Sequence, residues 1–260
     1  MASKDSSISA ANGTLGNINR HFWNENMHII SNQQWVQDLL KQIVQCLQQN
    51  LHWVGILDAA ESSQENKRSM LDYACGNGLV SYALLPWFSK VRGIDISYAV
   101  VCNYNKMANE QGIPSEVIHA IQGDIRLPGP EISSADFSEF DVVVICMALH
   151  HIDEPENLLS QLLARLQPGG RLLVIDWTPE HYGIESKVSE HPANQTVNVD
   201  GFGEEAMLKL MDSAGFEDTH FYLYEERMSM GAEIGGERQM FFARGQKPAI
   251  NSAKVGILST

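Results

Sequence analysis

Cysteine is scarce in this 260-residue chain, and its four copies (Cys46, Cys75, Cys102 and Cys146) stand singly, with no Cys-x-x-Cys pair. That spacing builds neither a disulfide framework nor a cysteine zinc site, so no metal is expected and a reducing, cytoplasmic setting is. Basic residues are short as well: 18 Lys and Arg face 32 Asp and Glu, for a formal charge of −14. Nucleic acids and anionic lipids reward a basic surface, so neither is expected as a partner. No apolar run approaches the roughly 18 residues of a membrane span. Residues 1–20 are rich in Ser, Asn and Gly and lack the apolar stretch of a secretory signal. Hydrophobic residues, by contrast, make up 44% of the chain. That is enough for a real core and excludes wholesale disorder. The length suits one large domain with additions.

The pattern along the chain divides it. Residues 1–20 and 247–260 read as tails, and 21–66 as a helical cap. In the cap, Trp35, Val36, Leu39, Leu40, Ile43, Val44 and Leu47 recur at helical spacing. From 67 to 246, short apolar runs alternate with helical patterns, the signature of a parallel sheet flanked by helices. Strands are expected at 70–74, 91–96, 117–122, 141–147 and 171–177, with two more near 220–228 and 238–244. Helices are expected from about Leu79, over 98–111 and over 204–214. Another should begin after Asp153, with Glu156 completing a capping box. The run Asp141-Val142-Val143-Val144-Ile145-Cys146-Met147 does not alternate, so both of its faces are expected to be buried. The fold class is therefore a doubly wound α/β sheet of seven strands, mostly parallel, with a helical cap before it.

The chemistry is concentrated at the strand ends. Leu71-Asp72-Tyr73-Ala74-Cys75-Gly76-Asn77-Gly78 joins a strand to a helix, and its glycines let the backbone turn sharply and approach a ligand. Asp95 ends the second strand 17 residues beyond Gly78, where an acid can bind the two hydroxyls of a ribose. NAD and S-adenosylmethionine both fit that pair. Asp72 and a second acid, Asp124 in Gly123-Asp124-Ile125, favour the latter.

Together with Gly93-Ile94-Asp95-Ile96-Ser97, the turn Ala148-Leu149-His150-His151-Ile152 and Leu166-Gln167-Pro168-Gly169-Gly170, these blocks resemble class I S-adenosylmethionine-dependent methyltransferases of the small-molecule (UbiE-like) branch, fungal members included. The resemblance covers about two thirds of the chain. It implies a Rossmann-like sheet whose last strand is antiparallel, and S-adenosylmethionine as the methyl donor. It implies that the 74–78 loop, with Ala74, Cys75, Gly76 and Gly78, holds the methionine moiety, that Asp95 binds the ribose hydroxyls, that Asp124 and Ile125 bracket the adenine, and that Asp72 and Ile96 also belong to the donor site. Cys146 and Met147 would line the donor pocket. Two positions depart from the pattern: Ala74 stands for the first motif glycine, and Ile30-Ser31-Asn32 replaces the Tyr-Asp pair common in fungal members.

His150 and His151 are the candidate catalytic residues, since a histidine can take a proton from an acceptor near neutral pH. Phe22, Trp23, Trp177, His181 and Tyr182 are candidates for contact with a small organic acceptor. The long connection 178–202 is read as a lid. The function expected is methyl transfer to that acceptor, in fungal secondary metabolism by resemblance. The rivals are an enzyme that binds the donor and catalyses a rearrangement or cyclisation, a non-catalytic regulator, and a nicotinamide dehydrogenase.

Overall fold

The computed structural model describes residues 14–56, 68–127, 129–179, 192–229 and 237–249. Seven strands form one sheet: β1 (Ser69–Tyr73), β2 (Lys90–Asp95), β3 (Ile118–Gln122), β4 (Phe140–Cys146), β5 (Leu166–Trp177), β6 (Glu217–Ser229) and β7 (Glu237–Gln246). Their order is β3-β2-β1-β4-β5-β7-β6. Strands β1 to β5 pair in parallel, and β7 runs antiparallel between β5 and β6. Strand order reverses between β1 and β4, so a crevice opens beyond the carboxyl ends of those strands, where doubly wound sheets bind ligands.

Seven helices surround the sheet among the described residues: α1 (Leu15–Ile30), α2 (Gln34–Gln49), α3 (Leu51–Val54), α4 (Leu79–Leu84), α5 (Tyr98–Glu110), α6 (Pro155–Arg165) and α7 (Glu204–Ala214). The apolar residues of each strand split between two cores, as alternation demands. On β4, Val142 and Val144 face the layer built with Ile43, Leu47, Val80, Leu84 and Tyr104. Val143 and Ile145 face Leu158, Leu162, Met207 and Met211. The Val/Ile run therefore lacks a polar face because it has no solvent face. The apolar stripe of α2 does more than cap the site. Its Ile43 and Leu47 are fully buried and complete one of the two layers.

Several boundaries differ from expectation. Helix α1 begins at Leu15, inside the stretch read as a tail, because Thr14 caps it by accepting from the Asn17 N–H and because Asn19 and Phe22 are buried. Residues 247–249 continue the fold: the Lys247 N–H donates to the Gly170 carbonyl and Gly169 N–H to the Lys247 carbonyl. Asp153 does not cap α6. Glu154 holds that position with Pro155 at the first turn, while Asp153 pairs with Arg126 Nη1 at 2.6 Å. Strand β5 starts five residues early, because Leu166 pairs with Phe140 across an irregular register. Within 178–202, residues 192–196 form a single 3-10 turn; His181 and Tyr182 lie outside the described residues.

Candidate active site

The ends of β1, β2, β3 and β4 bring together the residues singled out in the sequence. After β1 the chain turns through three left-handed residues, Ala74 (φ 56°), Gly76 (φ 53°) and Gly78 (φ 84°). Ala74 occupies a conformation that favours glycine, so the departure from the motif pattern carries some strain. At Gly78 the absence of a side chain is required: a Cβ would stand 2.7 Å from the Tyr82 ring and 2.8 Å from the Tyr104 ring.

Beneath the turn, Asp72 accepts hydrogen bonds from the Ser81 N–H (3.1 Å) and Ser81 Oγ (2.7 Å), fixing the start of α4 to the strand. Burial lifts its carboxyl to about 7, against the opposing pull of the Ser81 bonds. Asp72 thus braces the turn from below. Cys75 is buried, its thiol pushed well up by that burial. The same holds for the thiol of Cys146. Met147, directly after β4, is a separate left-handed residue (φ 52°), and its N–H donates to the Ile175 carbonyl on β5.

Asp95 faces the turn. One carboxylate oxygen accepts from the Gly76 N–H at 3.0 Å and the other from the Ser97 N–H at 2.9 Å. Burial raises its pKa, and the backbone bonds oppose that rise. The half-buried Ile96 follows it, close to Gly16 of α1.

At the next corner Asp124 is enclosed. Its oxygens accept from Tyr73 Oη (3.0 Å), from the Arg126 N–H (3.0 Å) and from the Arg126 guanidinium, at 2.7 Å in the shortest case. Burial alone would raise this carboxyl, but the Arg126 bonds prevail and hold it below the usual range. Arg126 continues to Asp153, so one guanidinium ties two acids. Ile125 is buried in the core beside Tyr73 and Ile94.

The two histidines lie on a 3-10 turn directly after β4 (Leu149–His151). The buried His150 ring lies against Asp176, near the end of β5, with Nδ1 2.6 Å from Oδ1, and its backbone N–H donates to the other oxygen at 3.0 Å. Asp176 is wholly buried and also accepts from the Trp177 N–H. A carboxylate can only accept from Nδ1, so the neutral ring carries its proton there and its lone pair on Nε2. His151 is held alike: its Nδ1 meets the Thr196 carbonyl at 2.8 Å, and burial, then the neighbouring His150, keeps it neutral by depressing its pKa far below the ordinary value. The rings are 4.0 Å apart, centre to centre.

Trp23 of α1 meets His151 edge-on at 5.5 Å, and Phe22 packs edge-on against Trp23. Trp177 points into the core with Met228 and Met240, and offers no open surface. Among the described residues, no group of three or more His, Cys, Asp or Glu could hold a metal ion, and no helix is long and apolar enough to cross a membrane.

Asp176, Ser81, Arg126 and Thr196 carry no role in the expectations drawn from the sequence. Asp176 had a signal, an acid ending the apolar run Leu172-Leu173-Val174-Ile175. The Thr196 carbonyl had none, because backbone atoms leave no trace in a residue pattern.

Residues 33–221 match the model of a methyltransferase domain. A protein of Schizosaccharomyces pombe named an uncharacterized methyltransferase is 40% identical over 111 residues, 42% of this chain and 38% of that protein. A ubiquinone biosynthesis O-methyltransferase of Coxiella burnetii is 30% identical over 105 residues, 40% of this chain and 42% of that protein. The matched segments thus span about two fifths of the length of these curated relatives. The magnesium protoporphyrin IX methyltransferase of Synechocystis, solved with bound S-adenosylhomocysteine, shares the fold with a TM-score of 0.59 at 16% identity, over 89% of this chain and 99% of that one. With the matched domain covering well over half its length and the sheet order to accompany it, the chain belongs to the class I S-adenosylmethionine-dependent methyltransferases.

Proposed function

We propose that the chain transfers a methyl group from S-adenosylmethionine to a small organic acceptor whose nucleophilic atom bears a proton, with His150 as the proton acceptor. The observation that carries this reading is the His150–Asp176 pair beside the carboxyl ends of β4 and β5, a strand away from the Gly76–Asp95 turn. The residues of that turn fit the donor. A buried acid at 95 suits two ribose hydroxyls, and the left-handed turn through Gly76 and Gly78 brings backbone, not side chains, alongside it. Asp72 acts on the donor through the turn it braces. Asp124, saturated by Arg126 and Tyr73, fixes the corner where Ile125 would flank the adenine.

When bound, the donor supplies a sulfonium-activated methyl group. The rest is done by the protein. Asp176 holds the His150 Nδ1 proton in place, aims Nε2 outward and offsets the positive charge the ring gains on taking the acceptor's proton. Trp23 and the neutral His151 supply an apolar, aromatic wall beside it. Positioning contributes most of the remaining acceleration, since methyl transfer is an in-line displacement. The net charge of −14 argues against a nucleic acid acceptor. The Schizosaccharomyces pombe relative accords with a fungal methyltransferase, a place in secondary metabolism rests on the sequence resemblance alone, and the four free cysteines suit a cytoplasmic protein.

The test begins with binding. Calorimetry should detect S-adenosylhomocysteine, and Asp95→Ala should weaken it by about 1.5–3 kcal/mol. A panel of phenols, carboxylic acids and amines incubated with S-adenosylmethionine should then yield one product heavier by a CH₂ unit, with S-adenosylhomocysteine released. Failure to bind the nucleoside refutes the reading. A transformed acceptor of unchanged mass, with the donor intact, would replace transfer by rearrangement or cyclisation.

A further inference from the structure

Helix α1 touches both halves of the site. On the donor side, Asn24 Oδ1 accepts from Ser97 Oγ at 2.7 Å and from the Ala99 N–H at 3.1 Å. Ser97 in turn donates its N–H to Asp95. Met27, one turn further on, approaches Gly76, so that a Cβ there would stand 3.6 Å from the methionine methyl. On the histidine side, the Asn19 amide donates to the Thr196 carbonyl at 3.0 Å, and His151 donates to the same oxygen. Trp23 joins the two sets, bonded to Asn19 Oδ1 and edge-on to His151. The N–H groups of Asn198 and Val199 close on the His150 carbonyl, so the segment after Thr196 is bound to the same turn.

We propose that Asn24 is a positioning residue through which α1 couples occupancy of the donor site to the placement of the histidine turn. The proposal rests on the donor reading given above. A backbone N–H such as that of Ala99 can only donate, so position 24 must present an acceptor; a flipped amide would set donor against donor. Asn24 therefore clips α1 to the residues directly after Asp95. The same helix carries Asn19 and Trp23, which reach Thr196 and His151. A ligand that orders the Asp95–Ser97 segment thereby seats α1 and with it the wall beside His150. Such coupling is reciprocal: whatever stabilises the seated α1 also tightens binding of the donor-site ligand.

The probe is S-adenosylhomocysteine, read by its dissociation rate and by the nuclear magnetic resonance signals of the His151 ring, assigned by their loss in His151→Gln. In the unaltered protein the ligand should move those signals. In Asn24→Ala it should leave about tenfold faster, the scale of one lost hydrogen bond, and the His151 signals should no longer respond even at saturation. Asn24→Asp retains an acceptor oxygen and should recover both properties. Circular dichroism matching the unaltered protein excludes a collapsed helix as the cause. An unchanged dissociation rate in Asn24→Ala, or a His151 response that persists at saturation, overturns the proposal while leaving the function standing. An unaltered protein that does not retain S-adenosylhomocysteine overturns both.

Discussion

His150 and Asp176, 26 residues apart in sequence, meet at 2.6 Å because β4 and β5 run parallel, with Cys146 level with Ile175. Asp176 is the next residue of β5, and the turn after β4 folds His150 back over it. The carboxylate is wholly buried, and its donors are the ring Nδ1 and two backbone N–H groups. Its evident work is to orient the imidazole.

That relation sets the first prediction. Asp176→Asn retains the shape but can present an N–H to Nδ1, which allows the other tautomer and puts the proton on the nitrogen that should receive one. With the acceptor found by screening, turnover should fall by about 10²–10⁴, as should that of His150→Ala. Affinity for S-adenosylhomocysteine should be preserved in both. Turnover within a factor of three of the unaltered enzyme would remove the pair from the chemistry.

The buried Asp72 gives a pH prediction. Its carboxyl titrates near 7 in the fold, against about 3.9 for a free aspartate. Between those values the folded protein holds a proton that the unfolded chain has released. This contribution to stability is therefore complete below about pH 4 and lost as pH rises toward 7. Asp72→Asn cannot ionise, so its stability relative to the unaltered protein should rise across this window, by at most about 1.4 kcal/mol per pH unit. Urea unfolding at pH 5 and pH 7 measures it. A constant difference between the two proteins would mean that Asp72 titrates normally.

Gly78 and Gly203 make a matched pair. Gly78→Ala places a methyl group against two tyrosine rings at φ 84° and should cost about 1–3 kcal/mol. At Gly203 φ is −74° and a Cβ would meet nothing within 4 Å. Gly203→Ala should therefore leave stability within about 1 kcal/mol of the unaltered protein. Equal denaturation midpoints for the two variants would contradict the geometry of the turn.

Much of the fold was legible because its signals are local. The valine run of β4, the leucines of α6 and the glycine turns each report the number of buried faces or the need for a left-handed backbone. Boundaries were less legible where distant groups set them. Helix α1 reads as polar tail up to Arg20, yet Asn19 is buried because the Thr196 carbonyl, 177 residues away, accepts its amide. Asp153 has the sequence of a helix cap, but Arg126 competes for it. Within the candidate site, spacing from Gly78 points to Asp95, and the other strand-end residues stand out through the family resemblance. The role of Asp176 is not legible, because an acid ending a strand resembles any other until its partner is brought alongside.

Arg126 has one more consequence. By gripping Asp124 and Asp153 together it staples the loop after β3 to the entry of α6, so that rim of the crevice is stiff. With that rim tied, the natural door for a nucleoside is the side where α1 and the chain around Thr196 lean together.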